Sequence, residues 1–147
     1  MPRDFDVVIH CAGLVDLSSA ESAPALAHEL NVESVRTVRD ALRDVPTKVV
    51  LLSTDNVFDG TRDTYTELDP PTPVNVYGRT KVAAEEVLGA DARHLVVRIP
   101  MIVGRSPWRD AFLLVARLIV GWPVVRRVLQ DFGDEPSDVV VFLEELP

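Results

Sequence analysis

A short run of apolar and β-branched residues, Lys48–Leu52, most constrains the fold of this chain. Runs of this length and composition are typical of strands that a parallel sheet buries on both faces. Two similar runs, Val7–His10 and Leu95–Ile99, lie on either side of it in the sequence. Between the runs, apolar residues recur at helical spacing from Ala25 to Leu42 and from Thr80 to Leu88. This alternation predicts an α/β fold with a three-stranded parallel core.

Polar residues follow the central strand at the point where it should end. Ser53 and Thr54 come directly after Leu52, and ligands of open α/β sheets collect at the carboxyl ends of the strands. Further along, Tyr77 and Lys81 are four residues apart, so on a helix they share one face. A free phenol has a pKa of about 10, and a nearby ammonium lowers it toward neutral pH. The sequence therefore predicts an acid–base site, with a hydroxyl from Thr54 holding a substrate carbonyl beside the Tyr77 hydroxyl.

Several motifs carry a family resemblance when they are taken in order. They are the octapeptide STDNVFDG at 53–60, the segment Tyr65-Thr66-Glu67-x-Asp69, Pro73, and the pentapeptide YGRTK at 77–81. In this order they resemble the extended short-chain dehydrogenase/reductases, on the branch of the dTDP-4-dehydrorhamnose reductases. The regulatory β subunit of methionine adenosyltransferase is similar to the same branch. The resemblance runs from about residue 6 to about residue 143 of the 147 residues.

The resemblance implies a fold and an activity. The fold would be the carboxyl-terminal half of a Rossmann-like, doubly wound parallel sheet. Residues 1–105 would form a partial dinucleotide-binding domain, and residues 106–147 a small cap on the substrate side. The activity would be NAD(P)H-dependent reduction of a 4-keto sugar nucleotide. Tyr77 would donate a proton to the carbonyl oxygen, Lys81 would lower the pKa of Tyr77 and hold the nicotinamide ribose, and Thr54 would orient the carbonyl.

The resemblance also implies where a cofactor, NADPH or NADH, would lie. The residues that would contact it are Cys11, Ala12, Gly13, Ser53, Tyr77 and Lys81. Gly13 departs from the alanine that is usual in the family. We expect the neighbouring His10 to be a core histidine, and Cys11 to act as a small buried hydrophobe and not as a reactive thiol. We predict no metal site.

Asn31 has two interpretations. Related enzymes often place an asparagine on this helix, where it supports the catalytic lysine through water, but a polar surface residue is equally consistent with the sequence.

Two other positions depart from the rhamnose reductases, which puts the sugar-nucleotide specificity in doubt. Met101 stands where a tryptophan often faces the substrate, and Asn56 stands where an aromatic residue is usual.

The remaining segments give coarser predictions. We expect a loop over Val15–Pro24, in which Ser19 or Ser22 caps the next helix. On the helix that carries Lys81, Glu85 and Glu86 should lie on the solvent side. The carboxyl-terminal predictions are a helix over Trp108–Val120, a strand over Val124–Leu129, a substrate-covering loop over Asp131–Ser137, and a closing helix over Asp138–Leu146.

No glycine-rich phosphate loop occurs in the chain. The family opens with Gly-x-x-Gly-x-x-Gly between a strand and a helix, where backbone N–H groups bind the pyrophosphate. No two of the seven glycines here lie closer than eleven residues. We therefore expect a truncated form of the enzyme, which by itself binds a nicotinamide dinucleotide weakly and is inactive. Its strand Val7–His10 should be an apolar edge, so the chain should form a homodimer, be poorly soluble, or take the missing strands from a partner.

The composition of the chain argues against several kinds of partner and cellular setting. The net charge of −8 argues against nucleic acid as a partner. The single cysteine excludes an intrachain disulfide and suits the cytoplasm. We see neither a signal peptide nor a membrane span in the sequence. Two other functions stay open: a sugar-nucleotide epimerase or dehydratase on the same scaffold, and a non-catalytic regulatory or interaction module.

Overall fold

The computed structural model describes residues 6–89, 91–99 and 140–143. The strands are β1 (Val7–His10), β2 (Lys48–Thr54), β3 (Leu95–Ile99) and β4 (Val140–Leu143). The α-helices are α1 (Leu17–Ser22), α2 (Pro24–His28), α3 (Ser34–Ala41) and α4 (Val76–Leu88). A π-helical segment, Glu29–Glu33, joins α2 to α3, and a short 3-10 helix, Asp55–Val57, follows β2.

The predicted parallel core is confirmed. The sheet has the order β3-β2-β1-β4, and β2 runs parallel to both β1 and β3. Strand β2 continues two residues beyond its predicted end, so Ser53 and Thr54 belong to the strand and pair with β3. Val8, Ile9 and Leu51 are fully buried, as central parallel strands require.

The fourth strand corrects two predictions. Val140–Leu143 is a strand, and not part of a closing helix over Asp138–Leu146. It pairs antiparallel with β1, so β1 is an inner strand and not the exposed edge that we expected. The physical reason is that the backbone N–H and C=O groups of β1 need partners. A segment rich in valine supplies them, and tertiary pairing of this kind overrides a local helical preference.

The helical region before β2 matches its prediction in part. The helix expected from Ala25 to Leu42 is present as α2, the π-helical segment and α3 in succession. The loop expected over Val15–Pro24 is wrong, because α1 occupies Leu17–Ser22. Asp16 is the N-cap of that helix, because its side chain accepts a hydrogen bond from the Ser19 backbone N–H at 2.8 Å. Ser19 therefore lies inside the helix and is not the capping residue.

An apolar core holds α4 against the sheet. Buried side chains from the helices meet those of β2 in one cluster. Its buried members are Val32, Val35, Val49, Leu51, Ala84, Val87 and Leu88. Burying one valine or leucine side chain contributes about 1.5–3 kcal/mol, so this cluster is a large part of what fixes the position of α4.

Helix α4 begins earlier than its apolar spacing predicted. It starts at Val76 and not at Thr80, so Tyr77 lies inside its first turn. Gly89 ends it, as predicted, with a positive φ of 62° that favours glycine. Within the described ranges, no helix is both long and apolar enough to cross a bilayer.

Candidate active site

Thr54, Tyr77 and Lys81 come together at the carboxyl end of β2. Thr54 is the last residue of that strand, and the other two lie on α4, which packs over it. All three are buried, with between 6% and 9% of their surface exposed. The Thr54 hydroxyl lowers the pKa of the Tyr77 phenol, so the two groups are neighbours. A strand end and a helix start that are far apart in sequence therefore place two hydroxyl groups side by side.

The first turn of α4 is fixed by side-chain hydrogen bonds. Asn75 caps the helix, because its Oδ1 accepts from the Gly78 N–H at 2.7 Å. The Glu21 carboxylate accepts from the Val76 N–H at 2.7 Å. The Asn75 amide also donates to Asn56 Oδ1 at 3.1 Å. These bonds satisfy two of the free N–H groups at the helix start, and they hold the turn that contains the catalytic candidate tyrosine.

The Thr54 hydroxyl is oriented by its neighbours. It accepts a hydrogen bond from the Asn56 backbone N–H and donates to Asp55 Oδ1, each at 3.1 Å. It thereby caps the short helix Asp55–Val57. A serine or threonine hydroxyl has one proton and two lone pairs. The Asn56 side-chain Nδ2 also donates to Thr54 Oγ1, at 3.2 Å, so both lone pairs of this hydroxyl are used. Toward the Tyr77 phenol the Thr54 hydroxyl can therefore act only as a donor, which requires its proton to turn away from Asp55.

The Tyr77 phenol holds its proton at neutral pH. Burial raises the pKa of Tyr77, the Thr54 hydroxyl lowers it, and the Asp55 carboxylate raises it again. Within the described residues, the Lys81 ammonium acts on His10 and Cys11, and the groups that act on the phenol are Thr54 and Asp55. The lowering of the Tyr77 pKa by Lys81 stays a prediction.

Lys81 is buried beneath the end of β2. Its Nζ donates to the Leu52 backbone carbonyl at 2.5 Å. Burial lowers the pKa of Lys81 to about 8, while the charge of Glu85 raises it. At neutral pH the group is therefore mostly an ammonium. A buried lysine with a perturbed pKa, beside a tyrosine and a threonine hydroxyl, is the pattern of an acid–base centre.

His10, the last residue of β1, is a core histidine, as predicted, whereas Cys11, which follows it, is partly exposed and not a fully buried hydrophobe. His10 is 1% exposed, and its pKa is lowered to about 4 by burial and by the Lys81 ammonium. Burial raises the pKa of the Cys11 thiol to about 12, so no reactive thiolate forms near neutral pH. Both groups lie near the buried lysine, and they are followed by the uncharged, partly exposed Ala12 and Gly13.

Asn31 links the segment after β1 to α4. Its side chain accepts from the Leu14 N–H at 2.6 Å and donates to the Leu14 carbonyl at 3.0 Å and to Thr80 Oγ1 at 2.8 Å. It is 1% exposed, so the surface interpretation is wrong. It lies in the π-helical segment, and such bulges are frequent at functional sites. Support of Lys81 through water stays a prediction.

The sequence analysis did not predict a partly buried charge pair beside this centre. Glu85 was expected in solvent, but it accepts hydrogen bonds from Ser53 Oγ at 2.5 Å and from two nitrogens of Arg98, at 3.1 and 2.6 Å. Glu85 stands four residues after Lys81, so helical spacing places it on the face of Tyr77 and Lys81. That spacing is the signal that would have found it. The hydroxyl of Ser53, a predicted cofactor contact, is bonded to this carboxylate.

Several predicted positions lie outside the described residues. They are Met101, the cap segment 106–147 apart from β4, the elements Trp108–Val120 and Val124–Leu129, and the covering loop Asp131–Ser137. Within residues 6–89, 91–99 and 140–143, there is no cluster of three or more side chains suited to hold a metal ion.

Comparison with known proteins places the chain in a family. A family model described as RmlD substrate binding domain matches residues 2–122. Methionine adenosyltransferase 2 subunit beta of Rattus norvegicus is 37% identical over 105 residues, which cover 69% of this chain and 31% of that protein. The dTDP-4-dehydrorhamnose reductase of Mycolicibacterium smegmatis is 38% identical over 131 residues, which cover 87% of this chain and 40% of that protein.

A solved structure agrees with these relatives. The crystal structure of dTDP-4-dehydrorhamnose reductase from Bacillus anthracis, in complex with NADP, matches with a TM-score of 0.64 and 31% identity. The match covers 77% of this chain and 42% of that chain. The Rossmann-like fold is therefore shared, although the chain spans only about a third to two fifths of the length of these two curated relatives. On the match over residues 2–122, this chain belongs to the RmlD substrate binding domain family.

Proposed function

We propose that this chain forms the catalytic segment of an NAD(P)H-dependent reductase that acts on a 4-keto sugar nucleotide, as its dTDP-4-dehydrorhamnose reductase relatives do by name. One observation carries the proposal. The buried Thr54 and Tyr77 side chains are neighbours at the end of β2, and the buried Lys81 lies one helical turn further along α4. This arrangement suits proton donation to a carbonyl oxygen that is held between the two hydroxyls.

Each residue has a distinct part in the proposed reaction. Tyr77 gives its phenolic proton to the carbonyl oxygen as that oxygen gains negative charge. Thr54 holds the same oxygen by a hydrogen bond, which requires its proton to turn from Asp55 to the substrate. Lys81 stabilises the tyrosinate that remains, because an ammonium favours a nearby anion. The nicotinamide, when bound, supplies the hydride for the carbonyl carbon.

The residues present fit the nicotinamide end of NADPH or NADH. Cys11, Ala12 and Gly13 are small and uncharged and follow β1 directly, and Cys11 lies near the buried Lys81. A cofactor ring can approach their backbone closely. We propose these three, with Ser53, Tyr77 and Lys81, as the cofactor contacts. Since the Ser53 hydroxyl binds Glu85, we assign its contact to the other atoms of that residue.

A non-catalytic function is the second candidate. The observation that favours it is the 37% identity to methionine adenosyltransferase 2 subunit beta, which is named as a subunit. The presence of Thr54, Tyr77 and Lys81 does not distinguish a reductase from a non-catalytic module, because function depends on the complete site.

A chimeric enzyme tests the proposal. The segment of the M. smegmatis reductase that matches this chain would be replaced by residues of this chain, so that the rest of the relative supplies the dinucleotide-binding half. We expect it to oxidise NADPH with dTDP-4-dehydrorhamnose and to reduce the ketone to an alcohol. Identification of the product by NMR separates a reductase from an epimerase or a dehydratase. A chimera that folds and binds NADPH but turns over no 4-keto sugar nucleotide would favour the non-catalytic module.

The setting and assembly of the protein also remain proposals. We place it in the cytoplasm on the strength of its single cysteine, Cys11, whose thiol is free. The exposed β1 edge that favoured a homodimer is covered by β4, so of the two expected assemblies we propose the one with a partner protein, which the similarity to a protein named as a subunit supports. Its net charge of −8 favours neither nucleic acid nor an anionic membrane as that partner.

A further inference from the structure

Three consecutive residues of β2 face three residues that are spaced four apart on α4. The Leu52 carbonyl accepts from Lys81, the Ser53 hydroxyl donates to Glu85, and Thr54 lies beside Tyr77. The first and last of these contacts belong to the proposed reductase centre. The middle contact belongs to a residue, Glu85, to which the proposed reaction gives no part.

Glu85 is held more firmly than its position on a helix surface would suggest. Its side chain is 11% exposed, and it pairs with Arg98 of β3, whose side chain is 23% exposed. Two nitrogens of the guanidinium contact the two carboxylate oxygens in a fork, the geometry with the strongest directional preference among ion pairs. The guanidinium also lies 5.2 Å from the centre of the Phe58 ring. The carboxylate is therefore fixed from two strands at once.

We propose that Glu85 is a positioning residue of the reductase centre. It clamps the end of β2 to α4 through Ser53 and Arg98, and it keeps a fixed negative charge beside the Lys81 ammonium. The inference rests on the proposed function, since it assigns Glu85 a part in placing Lys81 and Thr54 for that reaction. Removing one partner of a partly buried pair of this kind leaves the other partner uncompensated, so the clamp is sensitive to a single substitution.

The charges around Lys81 make the proposal measurable. Glu85 lies on the same helix, and His10 and Cys11 face Lys81 from the end of β1 in uncharged forms. Among these neighbours Glu85 carries the negative charge. Because the pKa of Lys81 is about 8 in the native protein, loss of that charge should lower it further. Loss of the Arg98 cation, which partly neutralises Glu85, should raise it.

The chain is well suited to the measurement, because Lys81 and Lys48 are its only lysines. Labelling lysine with carbon-13 at Cε and nitrogen-15 at Nζ gives two NMR signals, one from the buried group and one from the exposed Lys48 as internal reference. We expect the pKa of Lys81 to fall by about one pH unit in Glu85→Gln, in line with the effect of a close opposite charge. It should rise in Arg98→Gln. In Glu86→Gln, which removes an exposed charge from the next position, it should not move.

The outcomes separate this inference from the proposed function. A Lys81 pKa that is the same in Glu85→Gln as in Glu86→Gln overturns the inference, whatever the activity of the chimera. If Glu85→Gln does not fold, Arg98→Gln takes its place as the test, and there the pKa of Lys81 should rise. An unchanged Lys81 pKa in Arg98→Gln would likewise overturn the inference. An inactive chimera would count against the proposed function and leave the NMR comparison valid. In an active chimera, Glu85→Gln should move the alkaline limb of the kcat profile to lower pH.

Discussion

The backbone carbonyl oxygen of Asn56 lies where a β-carbon on Gly78 would have to go. The start of α4 can therefore pack directly on the short helix Asp55–Val57, which follows Thr54. This close approach brings the Tyr77 phenol to the Thr54 hydroxyl. Steric crowding thus explains why the YGRTK motif has a glycine at position 78, because any larger residue would push α4 away from the end of β2.

Substitution of this glycine should be costly. In Gly78→Ala the new methyl group meets backbone, which cannot rotate away, so we expect the free energy of unfolding to fall by about 1–3 kcal/mol or more. Gly60→Ala is the matched control. It has open space around it but a φ of 72°, so its cost should stay near 1 kcal/mol. Urea denaturation of the two variants makes the comparison, and equal stabilities would show that the contact with Asn56 is not tight.

Gly13 and Asn31 should be energetically coupled. A β-carbon on Gly13 would lie 2.6 Å from Asn31 Oδ1, so Gly13→Ala should destabilise the native protein. In an Asn31→Ala background that oxygen is gone, and the same substitution should cost less. A double-mutant cycle by urea denaturation should give a coupling of about 0.5–3 kcal/mol, the range for residues in contact. Additive effects would mean that the two positions do not meet.

Lys81 should make stability depend on pH in a defined window. Its pKa is about 8 in the folded protein against 10.5 for an ordinary lysine. Between these values the unfolded chain binds more protons, so the Lys81 contribution to the free energy of unfolding rises with pH. Below pH 8 the buried charge costs the folded state about 3 kcal/mol, and by pH 10.5 that cost has gone.

Comparison with Lys81→Met isolates this effect from other titrating groups. The stability of the native chain relative to Lys81→Met should increase as the pH rises from 8 toward 10.5. Lys48→Met, which removes the exposed lysine, is the matched control substitution. Parallel curves for the native chain and Lys81→Met would mean that Lys81 titrates as an ordinary lysine.

The sequence was sufficient for those parts of the fold that local pattern controls. The three parallel strands and the end of α4 at Gly89 follow from β-branched runs and a helix-stopping glycine. The pairing of Val140–Leu143 with β1 did not follow, because it depends on backbone groups that become available only in the folded sheet. Local apolar spacing cannot report such a long-range partner.

The candidate active site was likewise predicted only in part from the sequence. Thr54, Tyr77 and Lys81 were identified from their chemistry and spacing, and the structure brings them to one place. The partly buried pair of Glu85 and Arg98 was missed, because the two residues lie on different elements and a glutamate on a helix is usually solvated.

The chain by itself should bind NADPH weakly. No glycine-rich loop is present to contact the pyrophosphate, so only the nicotinamide end has proposed contacts. Titration of NADPH into the purified 147-residue chain should show no saturation in the micromolar range, and the chimera serves as the positive control. Light scattering on the same sample reports the oligomeric state. Micromolar binding by a monomer would contradict this expectation.

Turnover of the chimera with Tyr77→Phe tests the proposed centre most directly. The chain has two tyrosines, and Tyr65, whose hydroxyl binds Asp59 in the loop after β2, supplies the control Tyr65→Phe. We predict that Tyr77→Phe lowers kcat by a factor on the order of a hundred or more, the size expected for loss of a general acid. The affinity for NADPH should stay unchanged, and Tyr65→Phe should keep near-native turnover. Near-native turnover in Tyr77→Phe would remove Tyr77 from the mechanism and contradict the account.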